Sequence, residues 1–298
     1  LSANDIGFYL GPRLNAAGRL EDMRQGIECL LSDDLDIARS IARRLHEMNR
    51  QRGELTAAME AQALARIEQL APDASTLPFG LCLFDPQWHQ GVVGIIAGRL
   101  KERLNRPVIV FATDRDGKIK GSGRSVPGMH LRDVLAAVAT QNPGLISHFG
   151  GHAMAAGLTL AMEHFTVFNQ AFDEETRQWL SDDDLQGRLL SDGELAPAEF
   201  SLEIAELLRQ GGPWGQGFPE PLFDGVFEVL SHRVIKEQHL KLSLRPPGAG
   251  FTLEALAFNQ AGIFVPGTAR VRIAYRLDVN EWRGERRLQL LIAHLEAT

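Results

Sequence analysis

Between Leu30 and Leu70 the chain reads LLSDDLDIARSIARRLHEMNRQRGELTAAMEAQALARIEQL. Apolar residues recur there at helical spacing: Ile41, Leu45, Met48, Leu55, Met59, then Leu64, Ile67 and Leu70. The pattern predicts one long helix, on the order of 50 Å at about 1.5 Å per residue. Ser32 or Asp33 can cap its start, and Asp33, Asp34 and Asp36 suit the positive end of its dipole. Arg43, Arg44, Arg50 and Arg52 alternate with Glu47 and Glu54 and read as a solvated face. A helix this long with one apolar stripe joins domains, and APDASTLP then breaks it.

The length of 298 residues fits about two domains on either side of such a connector. The chain opens at LSANDIG, with no methionine, inside what reads as structured sequence, and is expected to be a fragment. No apolar run approaches the roughly 20 residues that span a bilayer, and no secretory signal pattern opens the chain. Cys29 and Cys82 stand far apart, with no CxxC, so a zinc knuckle or redox pair is not suggested and a reducing cytoplasm fits. A net charge of -7 argues against non-specific coating of nucleic acid but leaves room for a local basic groove.

After the helix, strand-like runs alternate with helical ones. FGLCLF, RPVIVFAT and KIKGSGRS read as strands, and GVVGIIAGRLKERL, HLRDVLAAVAT and HFTVFNQAFDEETRQWL as helices. That is an α/β domain. An acidic stretch, SDDDLQGRLLSDGE, marks a boundary, followed by the helix FSLEIAELLRQ and a Gly/Pro-rich lead-in, GGPWGQGFPEP. Five strand-like runs follow from LFDGVFEVLSHRVI to RRLQLLIAHLE. They predict a small all-β barrel, with an OB-fold the leading choice. The expected divisions are 1–34 before the helix, 35–71 the helix, 72–180 the α/β domain, 181–220 the acidic linker, helix and lead-in, and 221–298 the barrel.

Three short stretches place polar side chains beside glycines: GPRLNAAGR, GSGRS and GGH. Glycine permits tight backbone that exposes N–H groups, and arginine adds a fork that fits phosphate. Arg13, Asn15, Arg19, Ser122, Arg124, Gly151 and His152 are therefore candidate anion contacts. The alternative is three glycine turns with surface arginines; the three stretches together favour a phosphate-rich ligand. His89 could touch an anion at a helix start, or stack on Trp88 or cap its turn; His130 reads as an N-terminal helix residue. Asp33, Asp34, Asp36, Asp114, Asp116 and Asp182 to Asp184 are explained by a helix start, a turn and the linker, so no metal ligand is assigned. In the barrel, the NEWRGER tip carries Trp282, Arg283, Arg286 and Arg287, a stacking and phosphate platform for single strands. Arg233, Lys236, Lys241 and Arg245 lie on or beside neighbouring strands; solvated strand faces balanced by glutamates are the other reading.

GPRLNAAGRL, WHQGVVGIIAGRLKERLNRPVIVF, KGSGRS, FGGHAMAAGL and PWGQGFPEPLFDG together resemble the RecJ single-stranded-DNA exonucleases of the DHH/DHHA1 phosphoesterase superfamily, over essentially the whole chain. The resemblance implies a DHHA1 α/β domain and an OB domain after the tail of a DHH domain. It implies a 5′→3′ exonuclease of recombination and repair, using Mn2+ or Mg2+ held by DHH motifs that this sequence lacks. By the resemblance, Arg13, Asn15 and Arg19 lie near an interdomain cleft. Ser122 and Arg124 would grip phosphate near the 5′ end, and Gly151 and His152 would meet phosphate at or near the scissile position, His152 in a supporting role. The fragment alone is then expected to bind single-stranded DNA without cleaving it, with no metal of its own and no membrane. The single-strand-binding protein is an implied partner. Two alternatives stay open: a DHH/DHHA1 phosphoesterase for short oligonucleotides or cyclic dinucleotides, and a non-catalytic strand-binding module.

Overall fold

A computed structural model describes residues 5–71, 76–215, 217–282 and 284–298. The chain divides into two compact units, Leu1–Gly187 and Arg188–Thr298.

The first unit opens with a π-helical turn, Asp5–Leu10, then α1 (Gly11–Leu20), α2 (Arg24–Leu31) and α3 (Leu35–Leu70). The cap of α3 is Asp34 and neither Ser32 nor Asp33: its carboxylate accepts from the Asp36 and Ile37 amides at 2.8 and 3.1 Å. The side chain nearest the first helical residue reaches those amides, while Ser32 donates to the Asp34 carbonyl. The two halves of α3 bury different partners. Leu45 and Met48 pack on Ala16 and Ala17 of α1. Met59, Ala63 and Ile67 pack on the α/β layer beyond. GPRLNAAGR is thus helical, neither tight glycine backbone with exposed amides nor a glycine turn, because burying the Ala16–Ala17 face against α3 favours a helix there.

The α/β layer has five strands: β1 (Leu81–Phe84), β2 (Val108–Thr113), β3 (Lys118–Arg124), β4 (His148–Gly151) and β5 (Ala155–Ala161), ordered β1-β2-β3-β5-β4. Only β1 and β2 run parallel. The helices are α4 (Val93–Leu104), α5 (Leu131–Gln141) and α6 (Phe165–Trp179). On one face Phe111, Ile119 and Leu160 pack against Val134 of α5 and Phe168 and Phe172 of α6. On the other, Leu81, Leu83, Val108 and Val110 lie beneath α3 and α4. Register sets Val108 opposite Arg124, Val110 opposite Ser122 and Ala112 opposite Lys120, so these polar side chains share that second face. Beyond β2 it opens: Lys118, Lys120, Gly150 and Gly157 are exposed. The hairpin of β4 and β5 is not legible as strand in the sequence, since glycine and alanine have low β propensity and only pairing to β3 orders them.

The second unit is a closed barrel of β6 (Phe223–Ile235), β7 (His239–Arg245), β8 (Leu253–Ala257), β9 (Arg270–Trp282) and β10 (Glu285–Ala297), joined β10-β8-β7-β6-β9. β10 pairs with β8 in parallel and with β9 antiparallel, which is OB-fold connectivity. Alternate residues point inward, as Leu240, Leu242 and Leu244 do on β7. α7 (Leu202–Gly211), capped by the Ser201 hydroxyl on the Ile204 amide at 3.1 Å, sends Ala205 into the same core with Leu202, Ile204 and Leu208 beside it. The helix placed in the linker by sequence is therefore part of the barrel's core, because its apolar stripe packs against the inward-facing barrel residues.

Candidate nucleic-acid interface

On the open half of the first sheet, register places Ser122 opposite Gly157 and Gly157 opposite Gly150. One row across three strands thus carries a hydroxyl and then no side chain. The next row carries Lys120, Thr159 and His148. A Cβ at Gly150 would meet nothing within 4 Å, and one at Gly157 only the Gly121 carbonyl at 3.8 Å. Together with Gln90 and Phe149 these residues line a cleft of ≈ 430 Å³. Lys120 Nζ lies 3.0 Å from Asp114. Its hydrogen bond, with those from Arg115 and Gln90, holds the Asp114 carboxyl below the usual range.

Two glycines bring arginines to the start of α4. A Cβ at Gly91 would lie 1.9 Å from the Arg19 carbonyl, and one at Gly94 would lie 2.9 Å from Ser122 Oγ and 3.1 Å from Arg124 Nη2. Arg19 Nη1 donates to the Gly91 carbonyl at 3.2 Å. Arg124 Nη1 donates to the Gly123 carbonyl at 2.8 Å and to Ser122 Oγ at 3.2 Å. Burial, and then the charge of Arg19, hold the Arg124 guanidinium below its ordinary value. Burial, then Arg19 and Arg99, do the same to Arg52 of α3. Among the described residues no carboxylate forms an ion pair with Arg19, Arg52 or Arg124. Like charges that approach without a counter-charge are relieved by an anion. The positive end of α4 adds to this field, since Val92 supplies no side-chain cap.

Structure sorts the sequence candidates. Arg19, Ser122 and Arg124 converge. Arg13 turns away, donating to the Tyr9 carbonyl at 2.6 Å and to His46 Nδ1 at 3.2 Å, and Asn15 is exposed on α1. GSGRS is strand, not an amide-lined turn. Its glycines serve the buried face: a Cβ at Gly121 would sit 2.5 Å from Phe111, and one at Gly123 2.8 Å from Leu131. Gly151 has φ +149°, and a Cβ there would lie 2.4 Å from the Ala155 carbonyl. The exposed His152 follows it, its amide donating to that carbonyl at 2.8 Å, one strand across from Arg124, which pairs with Ala155. His89 accepts the Gly91 amide at 3.0 Å and caps its turn; His130 caps α5 through the Asp133 amide at 3.4 Å. Arg52, a solvated residue by sequence, joins the half-buried cations instead. Its spacing to Thr56, Met59 and Ala63, all buried, is the signal that it lies on the inward stripe.

The barrel has a second basic cleft, of ≈ 480 Å³, lined by Arg233, Lys241, Glu254, Trp282 and Arg287, among others. It spans the strands and hairpin with which OB-folds hold oligonucleotides. Trp282 is 69% exposed. Lys241 pairs with Glu254 at 2.8 Å and Arg287 with Glu285 at 2.6 Å. Arg286 leaves the cleft and pairs with Glu206 of α7. Arg245 is held by Glu228 at 3.0 Å. Arg283 lies outside the described residues.

Among the described residues no group of three or more His, Cys, Asp and Glu side chains could hold a metal ion. The donor set needed for a two-metal site is therefore not met by these residues. No helix among the described residues is long and apolar enough to cross a membrane.

Comparison with known proteins matches the DHHA1 domain to residues 77–178 and the RecJ OB domain to residues 191–294. The chain is 52% identical over 297 residues to the single-stranded-DNA-specific exonuclease RecJ of Dickeya dadantii, covering 99% of this chain and 52% of that protein. It is 50% identical to the Escherichia coli RecJ over 297 residues, with the same coverage. The chain thus spans about half the length of the curated relatives it matches. The crystal structure of RecJ in complex with Mg2+ from Thermus thermophilus superposes with a TM-score of 0.78 at 28% identity, over 100% of this chain and 44% of that one. The Mn2+ complex of RecJ from the same organism gives 0.74 at 27% identity, over 100% and 42%.

Proposed function

We propose that this chain, which belongs to the RecJ family by its DHHA1 and RecJ OB domains, supplies the strand-binding part of a 5′→3′ single-stranded-DNA exonuclease of recombination and repair. The observation that carries this reading is the convergence of Arg19, Ser122 and Arg124 on the start of α4, with no carboxylate partner for either arginine among the described residues. Such a site suits a terminal phosphate, for which two guanidiniums, a hydroxyl and helix amides provide charge-assisted donors. The glycine-floored cleft beside it leaves room for a sugar–phosphate backbone to lie against the sheet. Gly151 lets the turn bearing His152 close over Ala155, so that His152 can meet a phosphate further along. In the barrel, Trp282 offers a ring for base stacking, with Arg233, Lys241 and Arg287 around it.

The chemistry of these residues is positioning and charge neutralisation. Divalent metal, Mn2+ or Mg2+, would be held by segments of the whole enzyme other than the residues described, as the metal complexes of the related RecJ structures suggest. We therefore read the chain by itself as a binder that releases no nucleotides. A cytoplasmic setting agrees with its two unpaired cysteines, Cys29 and Cys82. The single-strand-binding protein as partner rests on the family resemblance alone.

The test is fluorescence anisotropy with labelled oligothymidylate, carrying or lacking a 5′ phosphate, together with a nuclease assay in Mn2+. Tighter binding of the phosphorylated strand and no nucleotide release are expected. Equal affinity for both strands would remove the terminal-phosphate reading. Nucleotide release free of contaminating nuclease would remove the non-cleaving one.

A further inference from the structure

The barrel carries a pocket that none of the strand-binding residues uses. It has a volume of ≈ 370 Å³ and is walled by Phe200, Phe227, Tyr275, Pro246 and Pro247, with Glu194 at its rim. It is lined from the start of β6 and the middle of β9, whereas the basic cleft takes Arg233 from the far half of β6, Trp282 from the end of β9 and its other residues from β7, β8, β9 and β10. From Phe227 to Arg233 is roughly 20 Å at about 3.3 Å per residue. The aromatic wall is ordered by its own packing: Phe200 stacks on Tyr275 at 6.0 Å and meets Phe227 edge-on at 6.0 Å.

Charge separates this pocket from any nucleic-acid site. Glu194 is exposed and has no ion pair among the described residues. Asp224, also at the rim, accepts from Ser191 at 2.6 Å and faces Arg272 at 3.2 Å. Glu199 nearby accepts the Ala196 amide at 2.6 Å. A phosphate brought here meets uncompensated negative charge. A cationic side chain with a long apolar stem meets a matching surface: the Phe200 ring and Pro247 for its methylenes, a free carboxylate for its head. Arginine is also the cation most enriched in protein interfaces. At the pocket floor the Tyr275 hydroxyl is buried beside the Leu195 backbone without a fully formed hydrogen bond. Burial, together with Asp224, Glu194 and Glu199, raises its pKa, so it stays neutral beneath the pocket.

We propose that this pocket docks an arginine-bearing peptide segment of a partner protein, its stem on Phe200 and Pro247 and its guanidinium at Glu194. The site is independent of the strand-binding reading and leaves the basic cleft free for DNA.

The intact chain would be titrated into a labelled hexapeptide, Arg-Pro-Leu-Arg-Pro-Leu, with the same peptide bearing glutamate for arginine as control. Saturable binding of the arginine peptide alone is expected, weakened at least about tenfold by Glu194→Arg, a change at an exposed position. Tyr275→Phe keeps the ring and removes only a buried hydroxyl, and is expected to leave peptide affinity unchanged and the barrel folded. Oligothymidylate should not compete, and its own affinity should be unchanged in Glu194→Arg. The proposal is overturned by the absence of saturable binding, by equal binding of the glutamate peptide, by unchanged affinity in Glu194→Arg, or by competition from oligothymidylate.

Discussion

The arginine cluster at the start of α4 and the basic cleft of the barrel are built on opposite electrostatic plans. In the first unit Arg19, Arg52 and Arg124 approach one another with no carboxylate partner among the described residues, and two of them are partly buried. In the barrel, Lys241 and Arg287 already hold Glu254 and Glu285, and an exposed indole stands among them. Unpaired, half-buried cations are repaid in full when an anion arrives. Cations already paired at a surface contribute little net charge, so the barrel cleft must rely more on stacking. On the proposed reading the first site is a phosphate socket and the second a base platform.

Arg124→Ala should break this contrast most strongly. It is expected to weaken binding of a 5′-phosphorylated strand by about 1.5–3 kcal/mol, the worth of a charge-assisted hydrogen bond. It should also reduce the salt slope by about one unit in a titration series from low to physiological salt. A slope unchanged in Arg124→Ala would take this residue off the phosphate. Gly151→Ala should act on the fold: at φ +149°, with a Cβ 2.4 Å from the Ala155 carbonyl, it is expected to cost about 1–3 kcal/mol in thermal or urea unfolding. Gly150→Ala sharpens the point. Its Cβ would meet nothing within 4 Å, so stability should be preserved while strand affinity falls if the glycine row is the cleft floor.

Trp282→Ala should weaken long single strands by about 1–2 kcal/mol, read by anisotropy, with little change in salt slope. A large change in slope instead would mean that the barrel works by charge. The smallest effect is expected for Arg287→Ala, about 0–1 kcal/mol, because Glu285 already holds that guanidinium at 2.6 Å. If Arg287→Ala matched Arg124→Ala, the two clefts would not differ in kind.

Much of this architecture is legible in the sequence. The spacing of Leu45, Met48, Met59 and Ile67 marks a long helix, and the alternation in HLKLSLRP and ARVRIAYRLDVN marks barrel strands, because one buried face imposes its own period on the sequence. Ser122 and Arg124 are visible as polar residues beside glycines. The glycines themselves serve a different end from anion contact. Gly121 and Gly123 make room for Phe111 and Leu131, while Gly91 and Gly94, around the start of a helix, let Arg19 and Arg124 approach. Arg13 shares a motif with Arg19 yet points to Tyr9 and His46, since residues six apart on a helix face different directions.

Local pattern therefore determined the long helix, the core strands of the α/β layer and those of the barrel, though not α1 or the β4–β5 hairpin, and which residue types could meet an anion, because propensity, capping and periodicity act over a few residues. Which guanidiniums share one site was settled only by the fold. The register of β3 against β5, the seat of α1 on α3 and of α3 on α4, and the Arg19 contact to Gly91 join residues tens of positions apart. The like-charge field around Arg124 exists only once those elements have packed. A charge's neighbours in space, and the water it has lost, cannot be read along the chain.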